Sequence, residues 1–182
     1  MIDPIQVQAF QRSLVSPSER LYAVLDGASI PNLAALLHEH RVVHTCLLPG
    51  DLEPELAEAA PYLALLPVPS ALAELCLTQG LGNHWGILAT SRADLRALRM
   101  HLRQFLSVWD AGGQPLLFRY YDPRVLRLYL PTCDGAELAA LFGPVSAYFA
   151  EAEEPDSLLR LTLSADGLGQ QTLSLTRPAA PA

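Results

Sequence analysis

The chain contains no lysine: its twelve basic residues are all arginine, and nineteen acidic residues leave a net charge of −7. Binding to nucleic acid or an anionic membrane draws on a cationic face that releases counterions, and neither a basic tail nor a lysine cluster offers one. Cysteine is scarce as well. Cys46, Cys76 and Cys133 are odd in number and lie thirty or more residues apart, unlike a disulfide framework or a zinc knuckle. Cys46 and Cys76 sit in apolar runs and read as core packing. Long hydrophobic runs are missing too: stretches such as residues 60–69 are too short and too broken by proline to span a bilayer. Residues 1–5 carry neither the basic nor the apolar region of a signal peptide. The expected location is therefore the cytoplasm.

What the chain does have is apolar residues, 51% of its 182, against 17% charged, which is enough for a large buried core and unlike a disordered chain. Short apolar runs alternate with amphipathic segments, the rhythm of an α/β or mixed α+β fold with a central sheet flanked by helices. Strands are predicted at residues 20–25, 42–48, 62–66, 85–90 and 116–121. Pro31 fits the first turn of a helix through Leu33, Leu36 and Leu37, and residues 52–59 read as a short acidic helix. Ser70 caps the next helix. Ser91 is predicted to open the clearest helix of the chain, with Leu95, Leu98, Leu102 and Phe105 as its apolar stripe. Asp122-Pro123 and Asp134 are further helix starts, and Gly143-Pro144 is a stop. Residues 1–150 form the expected main domain. Residues 151–182 read as an acidic linker, then a small C-terminal β-hairpin turning at Asp166-Gly167, then a disordered tail from Arg177.

Signals for catalysis are thin. No Gly-x-Ser-x-Gly elbow is present. His38, Glu39, His40 and His44 have metal-like composition without a zinc spacing, and Gly80-Leu81-Gly82 lacks the lysine or serine of a phosphate loop. No metal and no cofactor is expected. Arginine supplies the remaining candidates. Arg92, Arg96, Arg99 and Arg103 recur at helical spacing as a narrow stripe beside the apolar one, with His101 near its opposite margin. That stripe reads either as a solvated edge covering apolar surface or as guanidinium forks that grip carboxylates or phosphates. Arg119, Tyr121, Asp122 and Arg124 divide in the same way. Arg119 either pairs with Asp122 to lock a strand–helix junction or joins an aromatic–arginine interface.

The order of the motifs is informative in itself. Leu21-Tyr22-Ala23-Val24-Leu25-Asp26-Gly27-Ala28 is followed by Leu47-Leu48-Pro49-Gly50, Ala60-Pro61-Tyr62-Leu63 and Trp85-Gly86-Ile87. Then come His101-Leu102-Arg103-Gln104-Phe105-Leu106, Leu117-Phe118-Arg119-Tyr120-Tyr121-Asp122-Pro123-Arg124-Val125 and Leu141-Phe142-Gly143-Pro144-Val145. Across residues 20–146 this series resembles the Tap/TEC family of bacterial type VI secretion adaptor chaperones. The resemblance implies a non-enzymatic bacterial cytoplasmic protein that binds one toxic effector and helps mount it on the VgrG spike. It also implies an α/β lobe followed by a more helical one, whereas this chain offers only a linker and hairpin after Pro144. His101, Arg103, Arg119, Asp122 and Arg124 match positions recurrent in the family, with no catalytic role to carry over. Two other classes stay open at this level. One is a small hydrolase or transferase acting on a phosphorylated metabolite through Arg119, Arg124 and His101. The other is a structural subunit that self-assembles through its hairpin edge.

Overall fold

Leu21 to Leu25 are apolar without alternation, as a strand needs when both of its faces are covered. In the computed structural model, which describes residues 3–176, this segment is β1 (Arg20–Asp26), buried from Leu21 onward. The helices are α1 (Pro4–Ser13), α2 (Leu33–Glu39), α3 (Pro54–Ala59), α4 (Ala71–Leu75), α5 (Leu95–Leu102), α6 (Pro123–Tyr129) and α7 (Gly135–Phe142). The remaining strands are β2 (His44–Cys46), β3 (Pro61–Leu66), β4 (Gly86–Ser91), β5 (Ser107–Trp109), β6 (Pro115–Leu117), β7 (Val145–Glu151), β8 (Ser157–Ser164) and β9 (Gly167–Ser174). Among the described residues, seven strands form one sheet in the order β2-β3-β1-β4-β7-β8-β9, with every neighbouring pair antiparallel. Strands β5 and β6 form a separate ribbon.

Two cores follow from the alternation along β1. Tyr22 and Val24 point to one face, where Leu98 and Leu102 of α5, Leu126 of α6, and Leu138 and Leu141 of α7 cover them. Leu21, Ala23 and Leu25 point to the other, under Val7 of α1, Leu33 and Leu37 of α2, and Leu72 of α4. The result is a mixed α+β protein of three layers. Five of the seven helices described, all but α2 and α3, start where a short polar side chain replaces the missing intrahelical acceptor. Ser70 accepts from the Ala73 amide, Asp122 from Arg124, and Asp134 forms a reciprocal capping box with Glu137.

Several sequence expectations need correction. Ser91 ends β4 instead of opening α5; its hydroxyl donates to the Pro144 carbonyl at 2.6 Å, and Asp94 caps the helix three residues later. Arg92 consequently lies outside the helix and is not part of a continuous stripe. Pro31 precedes the helix start, where Asn32 is the capping position. The strand expected at residues 116–121 is only β6; Phe118 to Tyr121 turn inward toward α6. Strand β7 was unexpected, and its last residue, Glu151, is buried instead of opening a solvated linker. The predicted hairpin is present as β8–β9 and continues the main sheet through β7. The expected disordered tail lies outside the described residues. Cys76 is buried in the turn after α4, and burial pushes its thiol up to about 12.

Leu102 is 0% exposed at the centre of the first core. Leu102→Ala should cost about 2–5 kcal/mol by opening a cavity there. Urea denaturation with an unchanged midpoint would show that α5 packs through another face.

Candidate functional site

Strand β1 ends on a buried carboxylate. Asp26 accepts from the Ala28 amide at 3.1 Å and the Ser29 hydroxyl at 2.9 Å, fixing the turn that leaves the sheet. Gly27 donates to the Ala60 carbonyl at 3.1 Å, and a side chain there would overlap the carbonyls of Glu58 and Ala60. The remaining demand of the Asp26 carboxylate is met by Arg119, whose guanidinium pairs with it directly. Arg119 also lies over the Tyr121 ring, 6.0 Å from its centroid. Burial, with the Asp26 charge adding to it, pushes the Tyr121 phenol up to about 12. For Arg119, burial works against the charge, but the hydrogen bond and charge of Asp26 outweigh it and raise the guanidinium further.

The expected Arg119–Asp122 pair is therefore replaced. Asp122 is held by Arg124, through Nε at 3.0 Å and Nη2 at 2.7 Å, while its Oδ1 also accepts the Arg124 amide as the cap of α6. Burial pushes the Asp122 carboxyl up, yet the Arg124 hydrogen bonds and the Arg124 and Arg119 charges together hold it below its ordinary value. Arg119, Tyr121, Asp122 and Arg124 do converge, around Asp26. Two acids and two arginines there are mutually neutralised.

The other candidates are dispersed. Arg92 and Arg96 are exposed, and the Arg92 carbonyl accepts from Arg20 at 3.1 Å. Arg99 donates from Nε to the Cys46 carbonyl at 2.8 Å, tying α5 to the edge strand β2. Arg103 is half-buried in the turn after α5. His101 bonds the Leu141 carbonyl at 3.0 Å and packs against Gly143, whose φ of +45° ends α7. Burial lowers the His101 pKa, and the Leu141 bond only partly opposes this. From His101 a row of rings runs through Phe105, Tyr120 and Tyr121 to Arg119, with successive spacings of 5.1, 6.4, 5.8 and 6.0 Å. His101 and the arginines therefore do not meet around one phosphate-sized space. The Gly80–Gly82 loop likewise turns its amides inward: Gly82 and His84 donate to the Glu151 carboxylate at 3.0 and 3.3 Å. Among the described residues no group of three His, Cys, Asp or Glu side chains is placed to hold a metal ion.

A cluster of exposed apolar side chains was missed by the sequence reading. Residues 107–117, the β5–β6 ribbon, are exposed throughout. Trp109 is 70% exposed and Leu117 54%. The visible signal was Asp110-Ala111-Gly112-Gly113, a tight turn between two apolar pairs, just ahead of the strand expected at residues 116–121.

The family described as a domain of unknown function, DUF4123, matches residues 21–140, about two-thirds of the chain. The match spans β1 through most of α7, including the Asp26 cluster and the ribbon. No curated protein and no solved structure matches the chain.

Arg119→Met leaves a buried carboxylate without its partner. The expected cost is about 1–3 kcal/mol, below the ~3–5 of a fully buried pair because the guanidinium is partly exposed. Adding Asp26→Asn should recover part of that loss, and a chemical-denaturation double-mutant cycle showing no coupling would contradict the pairing. Asp122 yields a pH prediction. Its folded pKa lies below the unfolded value of about 3.9, so its stabilisation is complete above that pH and is lost as the pH falls through the lower, folded value. Asp122→Asn should therefore be less stable than wild type at pH 6 and lose less stability on acidification to pH 2.5. Parallel acid-unfolding profiles would refute this.

Proposed function

The chain belongs to the DUF4123 family, and from that premise we propose that it is a type VI secretion adaptor chaperone: it binds a toxic effector in the bacterial cytoplasm and promotes its mounting on the VgrG spike. The observation that carries this reading is the family match, since this domain occurs in type VI effector adaptors. Charge and geometry support it. The arginines best placed for anion chemistry, Arg119 and Arg124, are engaged by Asp26 and Asp122. A surface with net charge −7 and an exposed apolar ribbon suits contact with another polypeptide better than with nucleic acid or an anionic membrane. The protein acts by holding its cargo, without a reaction of its own. Arg96 remains the exposed cation of α5 with which cargo carboxylates can pair. Arg99 is already bonded to Cys46, so reversing it carries a structural cost that reversing Arg96 does not.

The test is affinity purification of the tagged full chain from the cell that makes it, with mass spectrometry of what is retained. One toxin together with a VgrG protein is the expected outcome, with Arg96→Glu lowering toxin yield while leaving stability within ~0.5 kcal/mol. Retention of neither protein, or turnover of a small metabolite by the purified chain, would overturn the reading.

A further inference from the structure

The β5–β6 ribbon is built as a projecting finger. Its root is fixed: Phe118 donates its amide to the Leu106 carbonyl at 2.8 Å, Leu106 is buried, and the Phe118 ring packs on Tyr129 with centroids 4.8 Å apart. Its tip is fixed as well. The Asp110 carboxylate accepts from the Gly112 and Gln114 amides, both at 2.8 Å. That aspartate is the only charged side chain between Ser107 and Leu117, and its Oδ1 is committed to the turn.

The register decides which way the side chains point, because residues opposite one another share a face. Val108 pairs with Leu116 and occupies one face; Trp109 pairs with Pro115, and Ser107 with Leu117, on the other. All of these are exposed. A hairpin lying on a protein body buries one face and shows the other to water. This one leaves apolar residues on both faces uncovered, and a two-stranded ribbon alone is marginally stable in water.

We propose that this finger inserts into an uncharged apolar cleft of the cargo polypeptide, with Trp109 and Leu117 as its anchors; the inference rests on the adaptor reading and names the partner chemistry of that reading. Two-sided apolarity is what selects a cleft, because a flat partner would cover only one face. The flanks of the finger, Ser107–Trp109 and Pro115–Leu117, carry no charge and select an uncharged lining, because a charged wall would lose its hydration against them without gaining a counter-charge, while the exposed Asp110 carboxylate at the tip stays in water. Size argues against a second copy as the occupant. The finger's large apolar side chains are Val108, Trp109, Leu116 and Leu117, exposed by 41, 70, 50 and 54%, far fewer than the roughly 20–30 residues a side of a stable interface. Such a finger contributes a hot spot to a larger contact and lets cargo leave again.

The experiment places a photo-crosslinking residue at Leu117 of the full chain, and separately at Ile5, which is 76% exposed on α1 over the opposite core. After irradiation in the native cell, adducts are mapped by mass spectrometry. The expected adduct joins position 117 to an uncharged apolar segment of the same toxin that wild type retains, with none from position 5. Trp109→Ser combined with Leu117→Ser should lower toxin retention at least tenfold without moving the melting temperature. Adducts with a second copy, with lipid or with a charged toxin segment would overturn the finger while leaving the adaptor reading intact, and so would undiminished retention. Failure of wild type to retain any toxin would overturn both.

Discussion

Burial of β1 on both faces is the constraint from which the rest of the molecule follows. A strand that has apolar neighbours above and below cannot end in water without exposing one of its cores, and β1 ends instead on Asp26, a carboxylate held inside the protein. An isolated buried charge is expensive, so the fold must bring a counter-charge to that point. It does so with Arg119, 93 residues along the chain. This pairing fixes where the segment between β6 and α6 must lie. The Asp122–Arg124 pair and the aromatic row from Tyr121 to His101 are built upon it.

The same constraint explains the use of arginine. Arg20 bonds the carbonyl of Arg92, Arg99 that of Cys46, and Arg127 that of Glu151 at 3.0 Å. A guanidinium has five donors in a fixed fork and a stem that packs on apolar surface, so it can satisfy carbonyls at sheet edges and loop crossings while remaining partly wet. Half of the arginines that the sequence offered as a cationic surface, Arg99, Arg119 and Arg124, are engaged internally. Beside the exposed Arg92 and Arg96 stands a feature of the opposite character: an apolar ribbon with Asp110 as its one charge, rooted on the half-buried rings of Phe118 and Tyr129. The proposed contact with cargo rests on dispersion and desolvation at the finger, with Arg96 as an exposed charge on α5.

Local features were the legible ones. The apolar stripe of α5, the caps Ser70, Asp122 and Asp134, and the β8–β9 hairpin were each written in a few adjacent residues, and each is present. Strand β7 was not legible, because a strand covered on both faces loses the alternation that marks it and Glu151 runs straight into an acidic turn. The partner of Arg119 was misassigned for a related reason: Asp122 is near in sequence, while Asp26 becomes near only through the sheet. The ribbon was misread because Leu116 and Leu117 are as apolar as any core pair. Only the three-dimensional register shows that nothing covers them.

Amide hydrogen exchange of the full chain, alone and with the toxin it is proposed to hold, tests the central claim most directly. Protection on binding should concentrate in residues 107–117, with β1 and the Asp26 turn exchanging as before. Protection confined to residues 92–103, with the ribbon exchanging as in the free protein, would contradict the account.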